Sequence, residues 1–396
     1  MKYSKSAIPA LIGGLLAVMV AQGIARFGYT PLLPLMQDAE GFGVDVGGYL
    51  ASVNYWGYFL GSLFAAYIAT SNNKLFWFYG ALVIILVTTP MMGSVDDFMA
   101  WSIIRFFSGL AGGMTIALGA ALTQESVRHS NIKNWAGIYF SGVGLGIALT
   151  GSITWFLSDR LSWEEQWYLL GLISLVLVIP AFIWIRPAKA VNENIGGGNR
   201  HWSLPVWLLI SAYFLDGLGY VVSTTFLVSI ITQLPNLESW GNQTWILVGA
   251  AAAPSCLLWP LLVPRFGQFK LVIGIYFLQS LAIVSPILID GVAGALIGGL
   301  LFGATFLSAI SLSFNLAALL VPTNTGRLLG VLTAVFGAGQ LIGPAISGWL
   351  AERTGTFDLA LIMSASAIAL AGCLLVAANV IYERRTQLRV NVAGNI

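Results

Sequence analysis

The stretch GIARFGYTPLLPLM, residues 23–36, sets Arg26 inside a run that carries no other charge from Ala7 to Met36. A bilayer crossing takes about 20 apolar residues, so this run is long enough to span. It also outlasts the roughly 7 to 15 apolar residues of a secretory signal, and although Lys2 and Lys5 precede it, it reads as an uncleaved first helix. A guanidinium at such depth is costly in hydrocarbon and must face water, a partner or an anion.

The rest of the chain has the same character. Of its 396 residues 58% are hydrophobic and only 9% charged, with a net charge of +2, and the mean hydropathy is +0.85. This excludes a soluble globular domain. Charge-poor apolar stretches at 7–36, 47–70, 75–94, 98–122, 134–157, 166–185, 203–233, 243–264, 269–289, 291–320, 327–351 and 357–382 predict an all-α membrane protein of twelve transmembrane helices. A bilayer admits only helical bundles or closed barrels, and spans this long without period-two alternation reject the barrel.

Basic residues set the expected orientation. With a cytoplasmic N-terminus, fourteen of them, among them Lys2, Lys5, Lys74, Arg128, Arg265, Lys270, Arg327, Arg384 and Arg385, fall on the cytoplasmic side, against Arg160 and Arg353 outside. Both termini are therefore expected in the cytoplasm. Cys256 and Cys373 fall inside predicted spans, and His129 and His201 in connections, so the pattern implies no metal site, disulfide framework or histidine-based nucleophile. No cofactor and no nucleic acid partner are expected. The tails and loops are too short for the output domain of a receptor.

The connection RPAKAVNENIGGGNRHWS, residues 186–203, is the longest polar segment within the chain and divides the spans six and six. The expected units are a six-helix bundle over 1–185, a cytoplasmic linker over 186–202 and a second bundle over 203–396. Gly137, Gly144 and Gly146 recur as Gly330, Gly337 and Gly339, each displaced by 193 residues, and Gly28-Tyr29 recurs as Gly219-Tyr220, displaced by 191. These repeats imply an internal duplication into pseudo-symmetric halves that can rock around a midplane site. Gly144, Gly146, Gly337 and Gly339, with Pro344, are candidate gating positions; ordinary close packing of helices is the alternative.

Several motifs carry a family resemblance over all twelve spans. RFFSGLAGGM from Arg105, PRFGQFK from Pro264 and GAGQLIGPAISG from Gly337 resemble the fourth-helix arginine-glycine, cytoplasmic-loop and glycine-proline motifs of the major facilitator superfamily. Pro264 replaces the Asp of the loop motif, TSNNK at Thr70 to Lys74 lacks that motif, and the glycine-proline run lies in span eleven rather than span five. GIARFGYTPLLPLMQ followed by GGYLASVNYWGYFLGSLFA is similar to the YbfB/YjiJ branch. The resemblance implies a bacterial inner-membrane transporter working by alternating access, and it leaves the cargo unnamed.

Three ionisable residues lie well inside predicted spans: Arg26, Arg105 and Asp216. Gln22, Arg26 and Tyr29 share one helical face, as do Tyr213, Asp216, Tyr220 and Ser223. Under the 191-residue displacement Arg26 aligns beside Gly217, so Arg26 and Asp216 are expected at matching depth, facing each other across a central cavity. Asp216 would carry a coupling proton and Arg26 would receive an anionic substrate group, with Arg105 nearby. A static salt bridge between the halves is the alternative, and Arg105 could serve as a packing hub, although the family motif links similar arginines to proton movement. Gln22, Tyr29, Asn54, Tyr58, Tyr220, Asn315 and Gln340 are candidate substrate contacts. Tyr55, Gln124 and Gln279 are further polar candidates, interhelical hydrogen bonding being the alternative. The expected function is proton-coupled secondary transport of a small organic anion or zwitterion by a monomer in the bilayer. The alternative is proton-antiport efflux of hydrophobic or cationic compounds, with Asp216 attracting the cargo.

Overall fold

A computed structural model describes residues 7–68, 71, 73–128, 130, 132, 134–186, 202–322 and 325–393. Among these the chain forms twelve helices: α1 (Ala7–Glu40), α2 (Val44–Ile68), α3 (Lys74–Met91), α4 (Phe98–Val127), α5 (Trp135–Leu157), α6 (Trp163–Trp184), α7 (Leu204–Thr232), α8 (Gly241–Phe266), α9 (Gln268–Leu288), α10 (Gly291–Leu320), α11 (Thr325–Thr354) and α12 (Asp358–Ala393). Most of the linker call, together with Lys2, Lys5, His129, Lys133 and His201, lies outside the described residues.

Eleven of the helices are both long and apolar enough to cross a membrane. The exception, α2, has 25 residues, about 37 Å at 1.5 Å per residue, which still exceeds a hydrocarbon core of roughly 30 Å. Its hydropathy is diluted by Ser52, Asn54, Tyr55 and Ser62, all of them buried. A polar face turned into the bundle keeps the lipid-facing side apolar, so the helix can span without reading as a span.

Helix ends follow local chemistry. Ser162 and Glu165 form a reciprocal capping box at the start of α6, and the Asp97 side chain accepts the Ala100 N–H at the start of α4. Gly41, at φ 68°, supplies the left-handed residue that ends α1 and turns the chain into α2. The most apolar stretch of α7 is 83% buried and that of α1 67%, against 33% for α6. Helices α1 and α7 are therefore central, while α6 presents Leu172, Val176 and Ile179 outward, at helical spacing, as lipid would require.

Glycines set the closest helix contacts. A Cβ on Gly144 would lie 2.4 Å from the Ala253 nitrogen, one on Gly249 2.2 Å from the Ala148 nitrogen and one on Gly137 2.6 Å from the Cys256 carbonyl oxygen, so α5 and α8 touch backbone to backbone over most of their length. Between α2 and α11, a Cβ on Gly48 would lie 2.4 Å from the Pro344 carbonyl oxygen, and one on Gly348 2.7 Å from that of Val44. The candidate gating glycines thus sort by neighbour. Gly144 joins α5 to α8, Gly146 seats against Gly23 of α1, Gly339 meets Phe214 of α7, and Gly337 faces the Phe59 ring of α2.

Gly144→Val should lower the thermal unfolding midpoint in detergent, since overpacking a tight contact costs about 1–3 kcal/mol. Gly274→Ala, where an added Cβ meets nothing within 4 Å, should leave the midpoint unchanged or raise it. Equal behaviour of the two variants would contradict a glycine-seated α5–α8 contact.

Candidate functional site

The site is built around a break in α1. Met19–Ile24 winds as a π-helix, with the Ala25 N–H bonding the Val20 carbonyl and the Phe27 N–H the Gln22 carbonyl, both at 2.9 Å, and regular α-helix resumes only at Tyr29. Wide turns of this kind recur at functional positions because they re-aim side chains and loosen the backbone ladder. Arg26 sits just beyond this one.

The Arg26 side chain is 7% exposed. Its Nη1 donates to Gln22 Oε1 at 3.0 Å and its Nη2 to Gln340 Oε1 at 3.1 Å. Each amide is oriented by its other end: Gln22 Nε2 donates to the Gly112 carbonyl at 2.9 Å and Gln340 Nε2 to the Tyr220 hydroxyl at 2.5 Å. The amide oxygens must therefore face the guanidinium. The Tyr58 and Tyr55 ring centres lie 4.2 and 4.4 Å from Arg26 Cζ, close enough for cation–π attraction. Amides and rings solvate a cation without neutralising it. Among the described residues the one ion pair is Lys74, at the start of α3, with Glu125, near the end of α4, so Arg26 keeps its full positive charge.

This charge faces a cavity of about 270 Å³. Arg26 is its one charged lining residue among those described, beside Gln22, Tyr58, Tyr220, Gly337 and Gln340. The aromatic side chains Phe27, Phe59, Phe140, Tyr213, Phe306, Phe314 and Phe336 share the rest of the wall with aliphatic residues such as Leu63, Ile116, Leu307 and Ile310. Ala66, Ala120 and Gly330 carry the lining toward the end of the bundle at which α1 begins. Toward the other end the path is stopped. Thr30 Oγ1 donates to the Thr224 carbonyl at 2.5 Å, and the Tyr55 and Thr224 hydroxyls meet at 3.4 Å. Beyond them the Ala345 N–H donates to Ser52 Oγ at 3.1 Å and the Val44 N–H to Glu352 Oε2 at 2.9 Å. Every one of these contacts joins a helix from the first six to one from the last six.

The other buried charges sit apart from this wall. Asp216, 1% exposed, accepts from Gln279 Nε2 of α9 at 3.1 Å, with Tyr276 beside it. It does not line the cavity, and neither the direct Arg26–Asp216 pair nor the static bridge expected from their depth is formed. The reason is rotation: α7 turns Asp216 toward α9, while Gln340 of α11 takes the guanidinium. Arg105 Nη1 donates to the Ala25 carbonyl at 3.5 Å, and its guanidinium lies 4.2 Å from the Tyr29 ring centre. Asn54 Nδ2 holds the Arg105 carbonyl at 2.8 Å, and the Tyr29 hydroxyl donates to the Gly47 carbonyl at 3.0 Å. Arg105, Tyr29 and Asn54 thus buttress the α1 break from behind, and Asn315 and Gln124 are exposed, away from the cavity. A reading led by charge passed over Phe27, Phe306 and Phe336. The signal available was the apolar stripe Phe306, Ile310 and Phe314 at i, i+4 and i+8.

Residues 18–376 match the family model described as the uncharacterised MFS-type transporter YbfB. The chain belongs to this family. As a transporter it is 26% identical over 357 residues to the uncharacterised MFS-type transporter YceJ of Bacillus subtilis (strain 168), covering 86% of this chain and 89% of that one. It is 20% identical over 369 residues to probable anion transporter 6, chloroplastic, of Arabidopsis thaliana, covering 82% and 70% respectively. A crystal structure of a mutant of the nucleoside transporter NupG matches with a TM-score of 0.74 at 14% identity, covering 93% of this chain and 99% of that one, which is a likeness of fold. The chain is therefore a multi-pass membrane transporter and not an enzyme.

In a background lacking Cys256 and Cys373, Thr333→Cys should react with a membrane-impermeant maleimide applied from the side where α1 begins. Ser52→Cys should react far more slowly from either side. Equal rates would contradict a cavity closed at one end.

Proposed function

We propose that the protein is a secondary active transporter of a small organic anion or zwitterion, proton-coupled, in which two six-helix halves alternate access to the Arg26 cavity. The observation that carries this reading is a buried arginine with no carboxylate partner among the described residues, alone as a charge on the cavity wall. Charge-assisted hydrogen bonds from such a group to an anion contribute about 1.5–3 kcal/mol each, and low dielectric strengthens them. The cation-efflux alternative has less support, because it needs Asp216 on the wall, and the wall carries an arginine instead.

Binding and motion meet at Gln340. An anion that draws Nη2 away from Gln340 loosens a contact between α1 and α11, and through Tyr220 a contact with α7. A ligand shifts a conformational equilibrium only by binding one state better, and this amide supplies such a difference. The α5–α8 and α2–α11 glycine contacts are the surfaces on which the halves would rock, with Gly144, Gly337 and Pro344 at those seams and Gly146 and Gly339 seating α5 and α11 against α1 and α7 behind them. With the basic residues assigned to the cytoplasm, the cavity opens inward, the membrane is a bacterial cytoplasmic one, and the Thr30–Thr224 contact is the outer gate.

Asp216 is the carboxyl group assigned to the proton. A carboxylate without a cationic partner in a bilayer interior is costly, and taking up a proton removes the charge. It lies one helical turn before Tyr220 on α7, so its protonation can act on the hydroxyl that holds Gln340. The direct exchange between Asp216 and Arg26 is replaced here by a relay through α7.

Arg26→Gln should weaken binding of the best carboxylate ligand about 10- to 100-fold, as the loss of one such hydrogen bond implies, with the ligand chosen by its effect on thermal unfolding. In proteoliposomes Asp216→Asn should abolish accumulation driven by a pH gradient while leaving substrate exchange. Equal loss of both modes would remove Asp216 from the coupling role.

A further inference from the structure

We propose that the cargo is a flat, singly charged anion, an aromatic or conjugated monocarboxylate, whose carboxylate meets Arg26 while its ring lies against Tyr220, Phe306 and Phe336. This rests on the reading of Arg26 as an anion site and narrows it to a substrate class.

The ring geometry is the first support. Tyr220 and Phe336 lie 5.2 Å apart at 17°, Tyr220 and Phe306 6.3 Å apart at 11°, and Phe302 stacks behind Phe306 at 5.2 Å and 6°. Tyr213 continues the series beyond Phe336 at 4.6 Å and 24°. Aromatic pairs in proteins take edge-to-face as readily as stacked arrangements. Here side chains from α7, α10 and α11 all adopt nearly one ring orientation, and Tyr220, Phe306 and Phe336 belong to the cavity wall instead of lying beneath it. Because these rings stack on one another in a common orientation, they turn a flat aromatic surface to the cavity, against which a planar ring packs edge or face more closely than a puckered or branched group does.

The second support is the fixed relation between that wall and the charge. Gln340 donates to the Tyr220 hydroxyl and accepts from Arg26, so a single amide sets the distance between the stack and the cation. Tyr55 and Tyr58 lie against the guanidinium face, which leaves its N–H edge as the route of approach. A planar carboxylate suits that edge, as guanidinium–carboxylate pairs are coplanar forks.

Charge and polarity close the range. One cation on the described wall matches one negative charge, and a second carboxylate would be desolvated without a partner. The remaining polar wall groups are few, chiefly Gln22, Ser62, Ser311 and Thr333, too sparse for the hydroxyls of a sugar. The volume of about 270 Å³ lies at the small end of ligand pockets, in keeping with one or two rings.

The test uses the full-length protein in nanodiscs and calorimetric dissociation constants for five probes: benzoate, cyclohexanecarboxylate, benzamide, phthalate and benzylamine. Benzoate should bind about 5- to 10-fold more tightly than cyclohexanecarboxylate, as one aromatic stacking contact implies, and more tightly than the other three. Phe336→Leu and Phe306→Leu should each weaken benzoate binding more than cyclohexanecarboxylate binding, and so bring the ratio of the two dissociation constants close to one. If both carboxylates bind equally and both depend on Arg26, the ring-selective class is overturned and the anion reading stands. Phthalate binding as tightly as benzoate overturns the single charge. Best binding by benzylamine or benzamide, indifferent to Arg26→Gln, overturns both readings, and no binding of benzoate overturns the class proposed.

Discussion

An arginine held in the middle of a membrane bundle by two glutamine oxygens is the constraint around which the rest of this transporter is arranged. Amide dipoles lower the cost of burying the cation but leave its charge in place, whereas a carboxylate would have cancelled it. Orienting those oxygens takes an acceptor for each amide nitrogen, which the Gly112 carbonyl and the Tyr220 hydroxyl provide. Those sites in turn fix α4 and α7 against α1. The π-helical turn before Arg26, and Arg105 bracing the Ala25 carbonyl behind it, serve the same placement.

Around that centre the packing is asymmetric along the membrane normal. Among the described residues, hydroxyl, carbonyl and carboxylate contacts across the bundle collect beyond Arg26 on one side, while on the other side alanines and a glycine edge the cavity. Each of the sealing contacts is a single hydrogen bond between polar groups, worth about 1 kcal/mol net. A seal assembled from such small terms can be exchanged for water at modest cost. The glycine-seated α5–α8 contact, by contrast, is largely backbone against backbone at Gly144 and Gly249.

Much of the fold was legible because a bilayer lets hydropathy dominate other signals, and eleven of the helices carry that signal outright. The helix ends were less so: α4 continues to Val127 and α12 to Ala393, past the apolar stretches, since helical propensity does not stop where the lipid does. Arg26 and Gln22 stood out because charge in hydrocarbon demands a reason. The partner of Arg26 did not, because a repeat displacement gives depth along a helix and not rotation about it. Asp216 has the depth and Gln340 has the rotation. The aromatic wall was hidden for another reason. In a chain with 22 Phe, 14 Trp and 13 Tyr, a ring facing the cavity has the same one-letter code as a ring facing lipid.

The unusual polarity of α2 bears on how the chain enters the membrane during synthesis. Insertion machinery sorts segments by the free energy of partitioning, and a helix carrying Asn54 and several tyrosines is a weak candidate by itself. Only residues 41–43 separate it from α1, so the two can leave the translocon as a hairpin, with the strongly apolar first member carrying the second. The buried face, with Tyr58 and Ser62 on the cavity wall and Asn54 behind it, is then shielded from lipid at birth by its neighbour, and insertion and packing draw on the same few side chains.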